Sequence, residues 1–280
     1  DFVYHGGFSH SLFLLTALSP FFAWLITKVH RDTKPLFNKW MLLTVVVLNG
    51  SVLLDLFTIY GTQIFWPFDT TPHAIPALFI IDPLFTLPIL IGVSSALFLK
   101  NHRVNFIGLC LSLAYLIWAL GVSVFINGKM EEKLNEQGVP YSQFISSPAP
   151  FTTLLWRTVG IHNDQYFETY YSLFDGDAPL SVNFYPRNLS LMEGMDEHPP
   201  VAKLEKFTRG YFAMSENNES IAMTDLRMGS EPNYVFQFQV GKMNNSQAEA
   251  TSSQRLITKP DWKRLSWLWK RIWDPLAQPI

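Results

Sequence analysis

Apolar positions follow two rhythms along this 280-residue chain. Up to residue 127 they run in long blocks; beyond it they alternate, or recur at helical spacing, among many charges. A membrane-spanning helix needs roughly 20 mostly apolar residues, about 17 at the short limit. Four blocks meet that length: residues 11–27, 40–60, 77–99 and 104–126. The second carries Asn49, Ser51 and Asp55, and the third Asp82, Pro83 and Pro88. Such residues face protein or water rather than lipid. After the last block, residues 128–150 read as a polar linker ending in a proline-punctuated turn. YFETYYSLF and NYVFQFQV then alternate with period two, Tyr234, Phe236, Phe238 and Val240 on one side and Gln237 and Gln239 on the other. This predicts a largely antiparallel external β domain over residues 151–243. Residues 244–280 read as a polar linker and an amphipathic tail helix. In that helix Trp262, Leu265, Trp269, Ile272 and Trp273 share one face, and Lys263, Arg264, Lys270 and Arg271 the other. The pattern suits an interfacial helix on a membrane surface, and equally a helix packed on the domain or a partner. The expected fold is a polytopic α-helical membrane protein of at least four transmembrane helices, residues 1–127, with a C-terminal extramembrane mainly-β domain.

Charge sharpens this division. Of the 44 charged side chains (21 Lys and Arg, 23 Asp and Glu), only eleven precede residue 128. Lys28, Arg31, Lys34 and Lys39 lie between the first two blocks, and Lys100 and Arg103 between the last two. The stretch between the second and third blocks, GTQIFWPFDTTPHAIP, has no Lys or Arg. Basic loops stay cytoplasmic, so the N-terminus, the GTQIFWPF loop and the β domain are expected outside. In a bacterium that is an inner-membrane, multi-pass protein with a periplasmic or extracellular C-terminal domain. A net charge of −2 gives no reason to invoke nucleic acid. Cys110 is the single cysteine, so no disulfide framework exists.

The same topology gathers chemistry at one membrane face. His5 and His10 precede the first block, Asp55 lies near the outer end of the second, and Asp82 near the outer start of the third. A carboxylate near hydrocarbon needs a partner, and a cation or an imidazole is the natural one. Imidazole and carboxylate without thiolate suit zinc, manganese or iron. His5 and His10 could converge only if Gly6 and Gly7 form a turn and Ser9 or Ser11 caps the following helix. Each carboxylate also has a plainer role. Asp82 before Pro83 suits a helix start, and Asp55 could bond Thr58, Tyr60 or Gln63 at a helix end. Asp225 and Arg227 of TDLRMG are expected to pair within the β domain, and Phe65, Trp66 and Phe68 to form an interfacial aromatic belt.

Taken together, HGGFSHS, LLDLFTIYGTQIFWPF and LFIIDPLFTLPIL resemble the bacterial YdjM-like family of membrane-bound metal-dependent hydrolases. The likeness covers roughly residues 1–127 and continues more loosely through LLWRTVG, YYSLFD, RGYFAM and TDLRMGSEPNYVFQFQV. It implies metal ligation by His5, His10 and Asp55, with Asp55 or Asp82 as general base. Thr58, Tyr60 and Gly61 follow Asp55 as in the family. Two positions depart from it. Gly6 stands where the family has arginine, and Ser51 where it has a histidine. The chain opens on Asp1 rather than Met, so the family's upstream acidic element is expected to precede it.

Two functions compete. One is hydrolysis of a lipid-linked phosphoester or ester at the outer face by a divalent-metal enzyme. The other is a non-catalytic membrane subunit with a degenerate metal site, docked onto a larger complex through its β domain or tail helix. Membrane lipid is a partner in both.

Overall fold

The computed structural model describes residues 7–195, 198–244, 247–256 and 262–277. The chain forms two compact units, Asp1–Pro76 and Ala77–Ile280.

The first unit is a helical hairpin with a folded loop at its end. Helix α1 (Leu12–Val29) is followed by a 3-10 turn at Arg31–Leu36, helix α2 (Phe37–Leu56) and the loop 57–76. Ser11 starts α1: its hydroxyl accepts from Leu14 N–H at 3.2 Å and donates to the Trp66 carbonyl. Leu12 N–H bonds the Ile64 carbonyl at 3.1 Å, which ties the loop to the start of α1. Small residues are the buried ones on these helices, Ser19, Ala23 and Thr27 on α1 and Thr44 and Val52 on α2. Their size lets the helix backbones approach, the usual device where lipid removes any hydrophobic drive to associate. Large residues such as Phe21, Trp24, Leu42 and Val46 are exposed, forming the apolar surface that a bilayer would cover.

In the second unit, α3 (Pro83–Phe98) packs beside α4 (His102–Glu136). Glycines set the closeness of that pair. A Cβ on Gly108 would lie 2.2 Å from the Pro88 carbonyl oxygen, and one on Gly92 would lie 2.9 Å from Asn105 Cα. Among the described residues, three helical segments are long and apolar enough to cross a membrane: Leu12–Val29, Arg31–Leu56 and His102–Glu136. The block at 77–99 yields only the 16 residues of α3, about 24 Å of helix. It is short because Asp82 caps the helix and Pro83 takes its first position, which leaves residues 77–82 outside it.

Helix α4 does not stop at the end of its apolar block. Val122, Ile126, Met130 and Leu134 form a stripe at helical spacing, buried against Trp156, Phe167, Tyr171 and Leu180. The expected linker 128–150 is therefore mostly ordered structure: α4 runs on to Glu136, and β1 (Gln143–Pro148) follows. Its charges hid the helix, because Lys129 and Glu132 pair at 2.9 Å on the exposed side.

Strand β1 opens an antiparallel sheet in the order β1-β2-β3-β4, with β2 at Leu155–His162, β3 at Gln165–Ser172 and β4 at Asn183–Pro186. Helix α5 (Pro199–Thr208) leads to a second sheet, made of β5 (Phe212–Asn217), β6 (Ser220–Asp225), β9 (Gln237–Asn244) and β10 (Gln247–Leu256). Its order is β10-β9-β6-β5, again antiparallel. Between β6 and β9 a short ribbon pairs β7 (Gly229–Ser230) with β8 (Asn233–Tyr234). Tyr234, Phe236, Phe238 and Val240 are buried, as their alternation requires. Strand β10 falls in the stretch expected to be polar linker. QAEATSSQRL has few apolar side chains to betray a strand, and backbone pairing with β9 makes it one.

The tail helix α6 (Trp262–Trp273) is turned differently from its expected amphipathic split. Trp267, Arg271 and Ile272 are buried against the first sheet, while Trp269 and Trp273 are exposed. Arg271 is buried because Asp175 neutralises it, through Nη1–Oδ1 at 2.8 Å and Nη2–Oδ2 at 2.6 Å. The helix packs on the domain, the second of its two expected settings.

Candidate functional site

The first unit brings His10 and Asp55 together where α1 begins and α2 ends. His10 closes a short 3-10 turn, Phe8–His10, just before the Ser11 cap. Asp55 is in the last turn of α2, whose end is fixed by Thr58. That residue's N–H and hydroxyl both donate to the Asp55 carbonyl, at 3.0 and 2.8 Å. The Asp55 carboxylate faces His10, with Oδ2 3.5 Å from His10 Nε2. Half of the Asp55 side chain and a quarter of the His10 side chain are exposed. At the other ring nitrogen, His10 Nδ1 lies 3.0 Å from Ser9 Oγ. A distance of 3.5 Å is long for a direct hydrogen bond, and it is near enough for the two groups to share one cation.

Gly61 serves the loop that follows. It has φ of +86°, a left-handed conformation that suits glycine, and a Cβ there would press to 3.1 Å from Pro72 Cβ. The loop also holds an ion pair the sequence reading passed over. His73 Nε2 meets Asp69 Oδ2 at 2.9 Å, and Asp69 Oδ1 accepts the Thr71 N–H at 2.7 Å. The Thr71 backbone bond, helped by the Thr71 and His73 side chains, holds the Asp69 carboxyl well below its usual range, at about 2. Its signal was the D-T-T-P-H spacing, legible only once a loop is known to bend there.

The remaining expected site residues are placed otherwise. Ser51 is on an exposed part of α2 and its hydroxyl donates to the Leu48 carbonyl at 2.8 Å. Asp82, in the second unit, is buried and fully engaged. Oδ1 accepts from Leu84 N–H at 2.9 Å and Phe85 N–H at 3.4 Å, and Oδ2 accepts from the Tyr115 hydroxyl at 2.9 Å. Oδ1 thus caps the start of α3 and Oδ2 ties it to α4, the helix-start role its Asp-Pro dipeptide suits. His5 lies outside the described residues.

A second polar cluster sits inside the β part. Arg157 bonds Glu168 and donates to the Leu226 carbonyl at 2.9 Å; Tyr234 donates to Glu168 and lies 3.2 Å from the hydroxyl of Tyr166, which donates to Glu231 at 2.9 Å. Burial and the Glu168 charge push the Tyr234 hydroxyl far above its ordinary range. Arg157 loses by desolvation but stays firmly protonated beside Glu168. Arg227 and Asp225 pair as expected, at 2.6 Å between Nη2 and Oδ2, both buried. Closed on each other, these groups hold strands and ribbon together and offer no open coordination.

For a divalent metal the donor types fit and the number is small. Among the described residues no group of three or more His, Cys, Asp and Glu side chains stands ready to hold an ion. His10 and Asp55 supply an imidazole nitrogen and a carboxylate oxygen, two of the three protein ligands that catalytic zinc sites use.

Residues 2–127 match the model of a family described as YdjM inner membrane protein. The match ends on α4, where its buried stripe enters the β part. No curated protein and no solved structure matches the chain.

Proposed function

From residues 2–127, which match the model of the YdjM inner membrane protein family, we propose a metal-dependent hydrolase working at the outer face of the inner membrane. Its substrate is a lipid-linked phosphoester or ester. The observation that carries the reading is the half-exposed Asp55 carboxylate facing His10 Nε2 at 3.5 Å beside the apolar surface of α1 and α2.

His10 and Asp55 would hold a zinc, manganese or iron ion, with His5 of the preceding segment as third ligand. A bound ion would lower the pKa of a coordinated water and polarise a phosphoryl or acyl oxygen. The chain's own residues do the rest. Ser9 fixes one nitrogen of His10 so that Nε2 faces Asp55. Thr58 pins the end of α2, and Gly61 lets the loop turn back toward α1. Phe65 and Phe68, both exposed, set the site at the depth of lipid headgroups. In this reading α3 is a short fourth span. The basic residues Arg31, Lys34, Lys39, Lys100 and Arg103 are cytoplasmic, and the β domain is periplasmic.

The test is turnover by the full-length protein in lipid nanodiscs, on phosphoesters and esters with long acyl chains, with and without added zinc, manganese or iron. Ion-dependent turnover lost in Asp55→Ala is the expected result. No turnover with any ion would overturn the enzyme reading. One observation favours the alternative of a non-catalytic subunit: Asp82 is committed to a helix cap, and Ser51 stands without an imidazole.

A further inference from the structure

The tail helix α6 carries an aromatic patch that its docking leaves uncovered. Trp273 stacks on Phe174 with ring centroids 4.9 Å apart, and Trp269 meets Trp273 edge to face at 6.0 Å. Trp269 is 63% exposed, Trp273 and Phe174 each 56%, and Leu276 77%. Lys263 and Lys270 are exposed on the same helix. The rest of α6 is fixed by Arg271 on Asp175, by Trp267 against Tyr170 at 5.0 Å, and by the Ser172 hydroxyl donating to the Ile272 carbonyl at 2.6 Å. The patch is therefore held rigidly at one place on the domain.

That place is the end of the first sheet nearest α3. Ile272 packs with Ala149 and Leu155, the two residues flanking the turn 150–154. The same turn reaches the start of α3: Phe151 meets Phe79 at 5.3 Å, and Thr153 Oγ1 lies 3.1 Å from the Tyr115 hydroxyl, which bonds Asp82. Leu155 pairs with Ser172 at this end of the sheet, which puts Phe174 just beyond it. Large apolar residues are exposed along α3 from Leu84 onward, and along α4 through Ile117 and Trp118 to Val124 and Phe125. The level of Asp82 and Tyr115 is thus where α3 starts and where the polar domain meets the apolar belt, which α4 alone carries further.

We propose that Phe174, Trp269, Trp273 and Leu276 form an interfacial anchor seated in the headgroup layer of the bilayer that α3 and α4 cross. Tryptophan is at home at that depth, with an apolar body and a polar indole N–H. Lys263 and Lys270 add attraction to anionic lipid. The anchor fixes the domain against the membrane by a second point besides α4. It needs no metal and no catalysis, so it stands or falls apart from the hydrolase reading.

The test is site-directed spin labelling of the full-length protein in bilayers containing anionic lipid, on a Cys110→Ser background. Labels are placed at Trp269→Cys and Leu276→Cys, with Gln165→Cys at the opposite end of the sheet as the reference. The expected result is a several-fold higher ratio of oxygen to nickel-chelate collision at positions 269 and 276 than at 165. Equal ratios at all three positions would overturn the anchor. So would labels at 269 and 276 shielded from both reagents, which would mean that protein covers the patch.

Discussion

The open pair His10–Asp55 and the buried pairs of the β part use the same kinds of group to opposite ends. Inside the β part, Arg157 with Glu168, Arg227 with Asp225 and Arg271 with Asp175 are each nearly sealed from water and bonded at short range. His10 and Asp55 are part-exposed and 3.5 Å apart. A buried charge without its partner is strongly unfavourable, so sealed pairs are structural by necessity. An exposed pair contributes little to folding, so the fold does not require it. Burial, more than residue type, separates scaffold from candidate chemistry here.

The sharpest way to break this contrast is to remove one sealed partner. Glu168→Ala strands Arg157 and removes the acceptor of Tyr234; it should destabilise the β part by about 3–5 kcal/mol, read by urea unfolding of the detergent-solubilised protein. Asp175→Asn is expected to cost about 1.5–3 kcal/mol, the scale of hydrogen bonds to charged groups. It should also expose α6 to limited proteolysis, with cleavage between β10 and α6 rising sharply. His10→Ala and Asp55→Ala sharpen the other side. Each should move stability by no more than about 1 kcal/mol in the same unfolding assay. A loss as large as that of Glu168→Ala would make this pair structural too.

The smallest effect concerns Asp69. Its carboxyl is held at about 2 by the Thr71 and His73 bonds, below its ordinary value of 3.8. A depressed carboxylate supports the folded loop above the unfolded pKa and loses that support as pH falls through the folded one. Order in the loop 57–76 should therefore weaken between pH 4 and pH 2. Asp69→Asn should abolish that pH dependence, followed by side-chain NMR of His73.

Much of this architecture was legible from residue patterns. Long apolar blocks located α1, α2 and α4, and the alternation of Tyr234 to Val240 located a strand with its buried side. The failures share a physical cause. Wherever polar residues do structural work, composition misleads. Lys129 and Glu132 hid the continuation of α4, the glutamines and serines of β10 hid an edge strand, and Arg271 looked solvated until Asp175 was seen beneath it. In the candidate site, the sequence placed His10 and Asp55 at a common face, and the structure brings them to 3.5 Å. Asp82 was legible as a helix start in its Asp-Pro dipeptide, and the structure shows that cap together with a bond from Tyr115.

The central claim is that His10 and Asp55 hold a divalent ion, and the most direct measurement is elemental analysis of the purified full-length protein. It should be run beside His10→Ala and Asp55→Ala after loading with zinc, manganese and iron in turn. One ion per chain in the wild type, lost from both folded variants, is the result this account predicts. No ion in the wild type after loading, or one retained by both variants, would contradict it.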